Sequence, residues 1–395
     1  MIKLKSWQKV LLGLVLGILA GSVFGQSILI VKPIGALFIR AIHMIIVPVV
    51  FLAIVNAISS IEDLKTMRRV AIRAFILYAF YMVLAASIGL LISALVHPGL
   101  GIVFHGFGKE GLHAVVSPSA SYSIVDVLPD NIVSSFATGN ILQILIFAIV
   151  FGLAMNMSKE HSQPVIDVVH AAFQIIIKVA QLIMWFAPFG VFALIACVTG
   201  EYGLAALIPL LTLVVTVYVG CALLWVCYAL GILILMRLSP VPFFKSIIHP
   251  VLIAFTTSSS AATLPVTLAT AEKELNIQKG LAHFLLPLGT SLNLNGLSVY
   301  LSVATMFAAN VYGIHLTLEQ YAMIPFFILF TAVGAAAVPG SALIVMGAIK
   351  TAVGIPLGAI PLIAAVDRLN DMAQTCSNVA GDLFATYVVN HFEKK

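Results

Sequence analysis

The chain has 395 residues, of which 62% are hydrophobic and only 9% are charged, and its formal net charge is +5. A soluble domain has about 25% charged residues, so this chain has too little polar surface to cover a globule in water. The composition also excludes a disordered chain, and four cysteines without a CxxC pair exclude a disulfide scaffold and give no zinc or redox motif. We therefore predict a polytopic membrane protein.

Long stretches without Asp, Glu, Lys or Arg predict membrane-spanning helices. The stretches 74–108, 202–236 and 280–318 each exceed the roughly 20 residues that a helix needs to cross the hydrocarbon core. The predicted helices, in chain order, are 8–30, 34–60, 71–97, 120–156, 164–198, 203–237, 281–309 and 357–390.

Two further apolar segments, 245–272 and 321–355, are interrupted near their middles. The first contains the polar run 256–260, and the second contains the Gly, Ala and Pro run 334–340. Interrupted backbone at membrane depth is tolerated only where protein or water covers it, and paired interruptions point to a transporter's binding site. We expect two re-entrant hairpins, with two kinked spanning helices as the alternative.

The distribution of basic residues predicts the orientation, because Lys and Arg concentrate in short cytoplasmic loops. Two hairpins place all of the basic clusters on one side of the membrane, which makes both termini cytoplasmic and favours the cell (inner) membrane. These clusters are 3–9, 65–73, 159, 237–245, 273–279 and 394–395. The net positive charge follows from loop orientation, so it does not indicate a nucleic-acid partner.

One face of the last predicted helix is polar. At 3.6 residues per turn, six of its side chains share this face. They are Asp367, Asp371, Gln374, Thr375, Asn378 and Asp382. A carboxylate at the bilayer centre costs about 2.5–3.5 kcal/mol, and ionisable groups there usually mark a substrate or ion path. A structural polar seam between helices is the alternative.

The predicted helix 281–309 contains an Asn-rich element, Gly289 to Gly296. Two Asn and two Gly are poor for helix propagation, so we expect a local unwinding that aims oxygen atoms at a cation such as sodium, with Asp382 supplying negative charge. A kink without ions is the alternative. These patterns predict a cation-coupled transporter whose site lies between two hairpins and two helices.

Several motifs resemble one family along nearly the whole chain. They are residues 33–48, 187–192, 257–265, the Asn-rich element, 338–340 and 378–382. Together they resemble the dicarboxylate/amino acid:cation symporters, which include the excitatory amino acid transporters, the neutral amino acid exchangers and the archaeal aspartate transporter. The resemblance implies an all-α protein with eight transmembrane helices, two re-entrant hairpins, a homotrimer and an elevator-type motion.

The resemblance also implies a division of the chain into two kinds of domain. Residues 1–70 are expected to form scaffold helices 1 and 2, and 71–119 to form helix 3 and an outer loop on the transport side. Residues 120–237 are expected to form scaffold helices 4 and 5 and transport helix 6. Residues 238–395 are expected to form the transport core with hairpin 1, helix 7, hairpin 2 and helix 8.

The resemblance assigns roles to single residues. Asp371 is expected to bind a substrate ammonium, and Asn378 is expected to hold its carboxylate with hairpin backbone near Ser259 and Ser260. The full substrate-binding set is Ser259, Ser260, Leu297, Val338, Gly340, Asp371, Gln374, Thr375 and Asn378. The expected sodium ligands are Gly289, Asn293, Asn378 and Asp382, with Ser291 and carbonyls of 332–335 in a second site.

Two departures from the family bear on the substrate. Members that carry acidic substrates have an Arg where this chain has Gln374, and a Thr where it has Leu297. Without this Arg and this Thr, the side-chain carboxylate of an acidic substrate loses its water and gains no partner, which costs several kcal/mol. We therefore predict that the substrate is a small neutral amino acid. The alternative is a glutamate, aspartate or C4-dicarboxylate symporter in which Arg368 replaces the missing guanidinium.

A third sodium site of the family is expected to be absent here. Its Asp and its two hydroxyl residues correspond to Asn295, Tyr81 and Met82, although Tyr78 is kept, and Met is no sodium ligand. We expect sodium as the coupling ion and no cofactor. Proton coupling through Asp371 or Asp382 competes with sodium, because a buried carboxylate can take up a proton.

Other function classes fit less well. An intramembrane aspartyl protease needs two Asp on separate helices that share a proton, whereas Asp371 and Asp382 lie on one predicted helix. The sequence also contains no HExxH or GxSxG motif. A channel would need a charged ring or a repeated filter loop. We therefore predict that the protein is not an enzyme.

Overall fold

The computed structural model describes residues 6–59, 68–100, 128–138, 141–204, 207–333, 335, 340, 342–343, 345–346 and 359–393. Within these residues every regular element is a helix. The first seven helices are α1 (Ser6–Phe24), α2 (Lys32–Ser59), α3 (Arg68–Val96), α4 (Ile132–Thr138), α5 (Ile141–Met157), α6 (Lys159–Tyr202) and α7 (Leu207–Gly231). The next six are α8 (Pro240–Thr257), α9 (Ser260–Lys273), α10 (Lys279–Leu292), α11 (Asn295–Val311), α12 (Leu318–Val333) and α13 (Ile360–Glu393).

Six helical segments among the described residues are long and apolar enough to cross a membrane. They are Gln8–Asn56, Arg69–Val96, His161–Glu201, Leu207–Met236, Pro240–Thr257 and Lys279–Val311. The predicted all-helical membrane protein is confirmed. The count of eight spanning helices with two hairpins stays a prediction, because most of 334–358 lies outside the described residues.

Two predicted helices have different boundaries in the structure. The segment 8–30 is not one α-helix, because Gly25 has a positive φ of 51° and the chain continues as a 3₁₀ helix, Gly25–Val31. The segment 120–156 is also not helical throughout, since the described residues 128–131 precede the start of α4 at Ile132. Residues 139–140, between α4 and α5, lie outside the described residues. The part of this segment before residue 128 lies outside the described residues.

The predicted interruption at 256–260 is a helix break. Helix α8 ends at Thr257, and Ser258 takes a left-handed conformation with φ 49°. Ser259 is extended, and its side chain accepts a hydrogen bond from the Ala262 N–H at 3.2 Å. This N-cap satisfies one of the open donors in the first turn of α9. Helices α8 and α9 pack against each other and against α13.

The predicted unwinding of the Asn-rich element is confirmed. Helix α10 ends at Leu292, and Asn293 and Leu294 are not helical. The first N–H groups of α11 are capped from another helix, because Asn378 Oδ1 accepts from Gly296 N at 2.8 Å and from Leu297 N at 3.3 Å. The break therefore depends on α13 as well as on its own residues.

The last helix lies at the centre of the protein. Almost every residue of α13 is buried, and α11 is buried nearly as completely. Helix α13 packs against α7, α8, α10 and α11, whereas α1, α2 and α5 pack with α6. Protein therefore surrounds α13 on all sides, and neither its polar face nor the opposite face is exposed to lipid.

Candidate functional site

Asp371 is the centre of a buried polar cluster on α13. It is 1% exposed, and its Oδ1 accepts from Gln374 Nε2 at 2.5 Å and from Thr375 Oγ1 at 3.3 Å. Its Oδ2 accepts from the Gly340 N–H at 3.0 Å. Because Gly340 belongs to the second interrupted segment, this bond joins that segment to the last helix.

Arg368 reaches the same cluster from the preceding turn of α13. Its Nη1 lies 3.7 Å from Asp371 Oδ2, and its Nη2 donates to the Thr257 carbonyl at 3.3 Å. The side chain is buried, and its Nε has no hydrogen-bond partner among the described residues. A buried guanidinium can bind an anion, because Arg binds carboxylates through several N–H groups at once.

Gln374 belongs to the cluster, and Leu297 follows Gly296, which packs against the Gln374 backbone. Gln374 donates its amide hydrogen to Asp371, and its Oε1 has no partner among the described residues. Leu297 is fully buried in the first turn of α11. A Cβ at Gly296 would collide with the Gln374 carbonyl, so glycine lets α11 and α13 approach this closely. Ser260 is also buried, at the start of α9.

A second polar cluster lies farther along α13, around Asp382. Asn293 Nδ2 donates to Asp382 Oδ1 at 2.9 Å, and Asn293 Oδ1 has no partner among the described residues. A Cβ at Gly289 would lie 2.8 Å from Asp382 Oδ1 and 3.0 Å from the Tyr78 hydroxyl. The carboxylate is 1% exposed and forms no ion pair within the described ranges. These oxygens fit a hard cation, which prefers carboxylate, amide and carbonyl ligands.

At the position of the family's third sodium site, which was expected to be absent here, Asn295 takes part in a neutral hydrogen-bond network. Asn295 Nδ2 donates to the Tyr228 hydroxyl at 2.9 Å, and this hydroxyl donates to the Ser377 carbonyl at 3.3 Å. Tyr81 packs on the Tyr228 ring. The sequence prediction did not include Tyr228, because it lies on α7, 67 residues before its amide partner.

The structure brings together most of the predicted site residues. Asp371, Gln374, Thr375 and Gly340 form one cluster, and Asn293, Gly289 and Asp382 form the other. Asn378 lies between them on α13, although its Oδ1 is used to cap α11. Ser259 caps α9, and Ser291 lies in the last turn of α10. Val338 lies outside the described residues.

Comparison with known proteins supports a cation-coupled transporter, which this geometry also favours. A sequence profile of the Sodium:dicarboxylate symporter family matches residues 7–392. The chain belongs to this family. The family-level resemblance drawn from the motifs is therefore confirmed, and the protein is an integral membrane symporter and not an enzyme.

Three relatives illustrate the range of named substrates. The chain is 35% identical to a proton/glutamate-aspartate symporter of Bacillus subtilis (strain 168) and 32% identical to a proton/sodium-glutamate symport protein of Bacillus caldotenax. Each comparison covers 98% of this chain and 94% of the relative. It is 33% identical to a C4-dicarboxylate transport protein of Anaeromyxobacter sp. (strain K), over 98% of this chain and 89% of the relative. These relatives support cation-coupled symport by this chain.

Proposed function

We propose that the protein imports an acidic amino acid, such as aspartate or glutamate, together with sodium. The relatives are named for glutamate, aspartate and C4-dicarboxylates, and none of those described above is named for a neutral amino acid. The neutral substrate predicted from Gln374 and Leu297 thus finds no support among them. Asp371 favours an amino acid over a simple dicarboxylate. When a substrate carboxylate binds Arg368, the buried Asp371 carboxylate needs another cationic partner, and the substrate ammonium supplies it.

The observation that carries this proposal is the position of Arg368. The prediction of a neutral substrate depended on the loss of a guanidinium at position 374. Arg368 supplies a guanidinium within 3.7 Å of the same Asp371 carboxylate, and it reaches the tip of the first interrupted segment at Thr257. In the loaded transporter the ammonium binds Asp371 and the distal carboxylate binds Arg368, so each charge has an opposite partner.

Sodium binds beside Asp382 in this proposal. Asn293 Oδ1, the backbone of Gly289 and one Asp382 oxygen supply oxygen ligands, and Ser291 and Asn378 lie close along the same two helices. The neutral Asn295–Tyr228–Ser377 network replaces the family's third cation site, so fewer sodium ions accompany each substrate. With fewer sodium ions per substrate, transport depends more on any other ion that is co-transported.

The family and the packing of the helices support an architecture, which we propose here. Helices α1, α2, α5 and α6 form the scaffold, and α3 with α7 to α13 form the transport unit, in agreement with how they pack. We propose eight spanning helices, two re-entrant hairpins, a homotrimer in the cell membrane with cytoplasmic termini, and an elevator-type movement of the transport unit against the scaffold.

The test is uptake by the purified protein in liposomes. Labelled aspartate, glutamate, succinate, serine and alanine are each offered under an inward sodium gradient and, separately, without sodium. We expect accumulation of aspartate or glutamate that requires sodium and is inhibited little by serine. Accumulation of succinate but of neither amino acid would contradict the role of Asp371, because succinate has no ammonium group.

A small neutral amino acid is the second candidate, and the residue types at positions 374 and 297 favour it. Gln374 offers an open amide oxygen to a hydroxyl or amide on the substrate, and Leu297 offers only an apolar surface. The same uptake measurement separates the two candidates. Preference for serine or alanine over aspartate would replace the acidic substrate with the neutral one.

A further inference from the structure

Asp367 is a buried carboxylate that neither the substrate cluster nor the cation cluster uses. It lies one turn before Asp371 on α13 and is 4% exposed. Its Oδ1 accepts a hydrogen bond from the Tyr300 hydroxyl of α11 at 2.9 Å. Among the described residues the ion pairs are Arg73–Glu393, His283–Glu272 and Arg368–Asp371, so no basic nitrogen lies within 4.0 Å of the Asp367 carboxylate.

Few titratable or charged groups surround Asp367. On its own helix they are Arg368 and Asp371, and on α11 there is Tyr300. On α7 there is Tyr218, whose hydroxyl donates to the Leu369 carbonyl at 3.0 Å. Lys350, in the second interrupted segment, lies outside the described residues. The guanidinium of Arg368 is the only cation in this group, and it is directed at Asp371 and the Thr257 carbonyl.

The number of buried charges requires further cations. Among the described residues of the transport unit, Asp367, Asp371 and Asp382 oppose the single guanidinium of Arg368, which leaves two negative charges. Sodium at Asp382 neutralises one of them, and an acidic amino acid adds another, because it has two carboxylates and one ammonium. Moving net charge across the low-dielectric part of a membrane is unfavourable. On the charges of the described residues, a loaded unit therefore needs at least one cation besides this sodium.

We propose that Asp367 binds a co-transported proton. This inference rests on the proposed acidic substrate. Outside, the proton adds to the Asp367 carboxylate as the substrate binds, and inside it leaves to water, with no other bond changed. Substrate binding promotes proton binding, because the distal carboxylate of the substrate takes up the charge of Arg368 and leaves Asp367 with less compensation. By linkage, a proton on Asp367 tightens substrate binding by the same factor.

Asp367 suits this role better than the other two carboxylates. Asp371 accepts from Gln374, Thr375 and the Gly340 N–H and has Arg368 nearby, and these donors stabilise its charged form. Asp382 lies among the oxygens that fit sodium, and bound sodium neutralises it. Asp367 has one neutral donor, Tyr300, and no ion pair among the described residues. Asp371 and Asp382, the two carboxylates that the sequence suggested for proton coupling, thus bind other cations in this proposal, the substrate ammonium and sodium.

The test measures protons and substrate together in liposomes that contain the full-length protein and an internal pH-sensitive dye. With the membrane potential held at zero, adding aspartate should acidify the interior of wild-type liposomes. Asp367→Asn should lose this acidification, and its accumulation of aspartate should no longer respond to a pH gradient, while exchange of labelled for unlabelled aspartate stays measurable. Asp167→Asn, at an exposed carboxylate of α6, is the matched control and should behave as wild type.

Two results would overturn the proposal: a wild-type protein that takes up no proton with its substrate, or an Asp367→Asn variant that moves as many protons per substrate as wild type. If Asp367→Asn does not reach the membrane, Tyr300→Phe decides instead. That change keeps the carboxyl and should alter the pH at which uptake is half-maximal, and an unaltered profile also overturns the proposal. If serine exchanges and aspartate does not, the proposed substrate is wrong, and the proton measurement is made with serine.

Discussion

Replacing Arg368 with Gln tests whether this guanidinium binds the distal carboxylate of the substrate. The change keeps a polar side chain of similar length but removes the only positive charge near Asp371 among the described residues. An acidic amino acid then loses the partner of its second carboxylate. A neutral amino acid loses nothing, and its ammonium no longer competes with a guanidinium for Asp371. We therefore expect a change of selectivity and not a uniform loss of transport.

The size of the effect follows from the distance to Asp371. A carboxylate 3.7 Å from the guanidinium, as Asp371 is, interacts by about 4 kcal/mol at an effective dielectric constant of about 20. Partial desolvation lowers the net value, and truncating one partner of a buried pair costs about 2–5 kcal/mol. A loss of about 2–4 kcal/mol weakens aspartate binding by about 30- to 1,000-fold. The affinity for serine should change by less than about threefold.

The assay is inhibition of labelled-substrate uptake by increasing aspartate or serine, in liposomes that contain wild type, Arg368→Gln or Arg368→Lys. The Lys variant keeps the charge without the planar fork and should lie between the other two. Arg69→Gln, an exposed residue at the start of α3, is the control. Equal losses for aspartate and serine in Arg368→Gln would refute the reasoning, because they would indicate a structural role only.

Three further predictions concern residues of α11 and α13. Asp382→Asn should abolish both sodium-stimulated uptake and the rise in Tm on adding sodium to purified protein, and a remaining sodium response would exclude this site. Adding Gln374→Arg to Arg368→Gln should restore aspartate selectivity, since position 374 already contacts Asp371; no recovery would mean that the position of the charge matters more than its presence. Gly296→Ala should lower stability by about 1–3 kcal/mol, because its Cβ meets the Gln374 backbone. Thermal unfolding measures this loss of stability. Gly280→Ala is the control, since a Cβ there meets nothing within 4 Å. Equal Tm values for Gly296→Ala and wild type would contradict the close packing of α11 on α13.

The features that the sequence predicted correctly are local ones. Apolar stretches of sufficient length predicted the membrane helices, because the hydrocarbon core sets a minimum length for any helix that crosses it. The break at Ser258 and the unwinding at Asn293 were also predictable, since polar and helix-breaking residues there are close together in the chain. The helix period predicted which residues of α13 share a face with Asp371.

The features that the sequence did not reveal are contacts between distant segments. Tyr300 bonds Asp367 and Tyr228 bonds Asn295, each across 67 residues, and no local pattern marks either tyrosine. The sequence did not show whether Arg368 reaches the substrate site, because the periodicity of a helix does not say which neighbours a long side chain contacts.

The sequence alone determined that this chain lies in a membrane, where two of its helices break and which family it belongs to, because hydropathy and short motifs are written in consecutive residues. The tertiary structure decided what the buried polar groups do. Arg368 lies beside Asp371, Asn378 caps α11, and Asp367 has Tyr300 as its donor, since each of these contacts joins segments more than 30 residues apart or depends on which rotamer packing allows. Inside a membrane such pairings decide function, because a buried charge must find its partner within the protein.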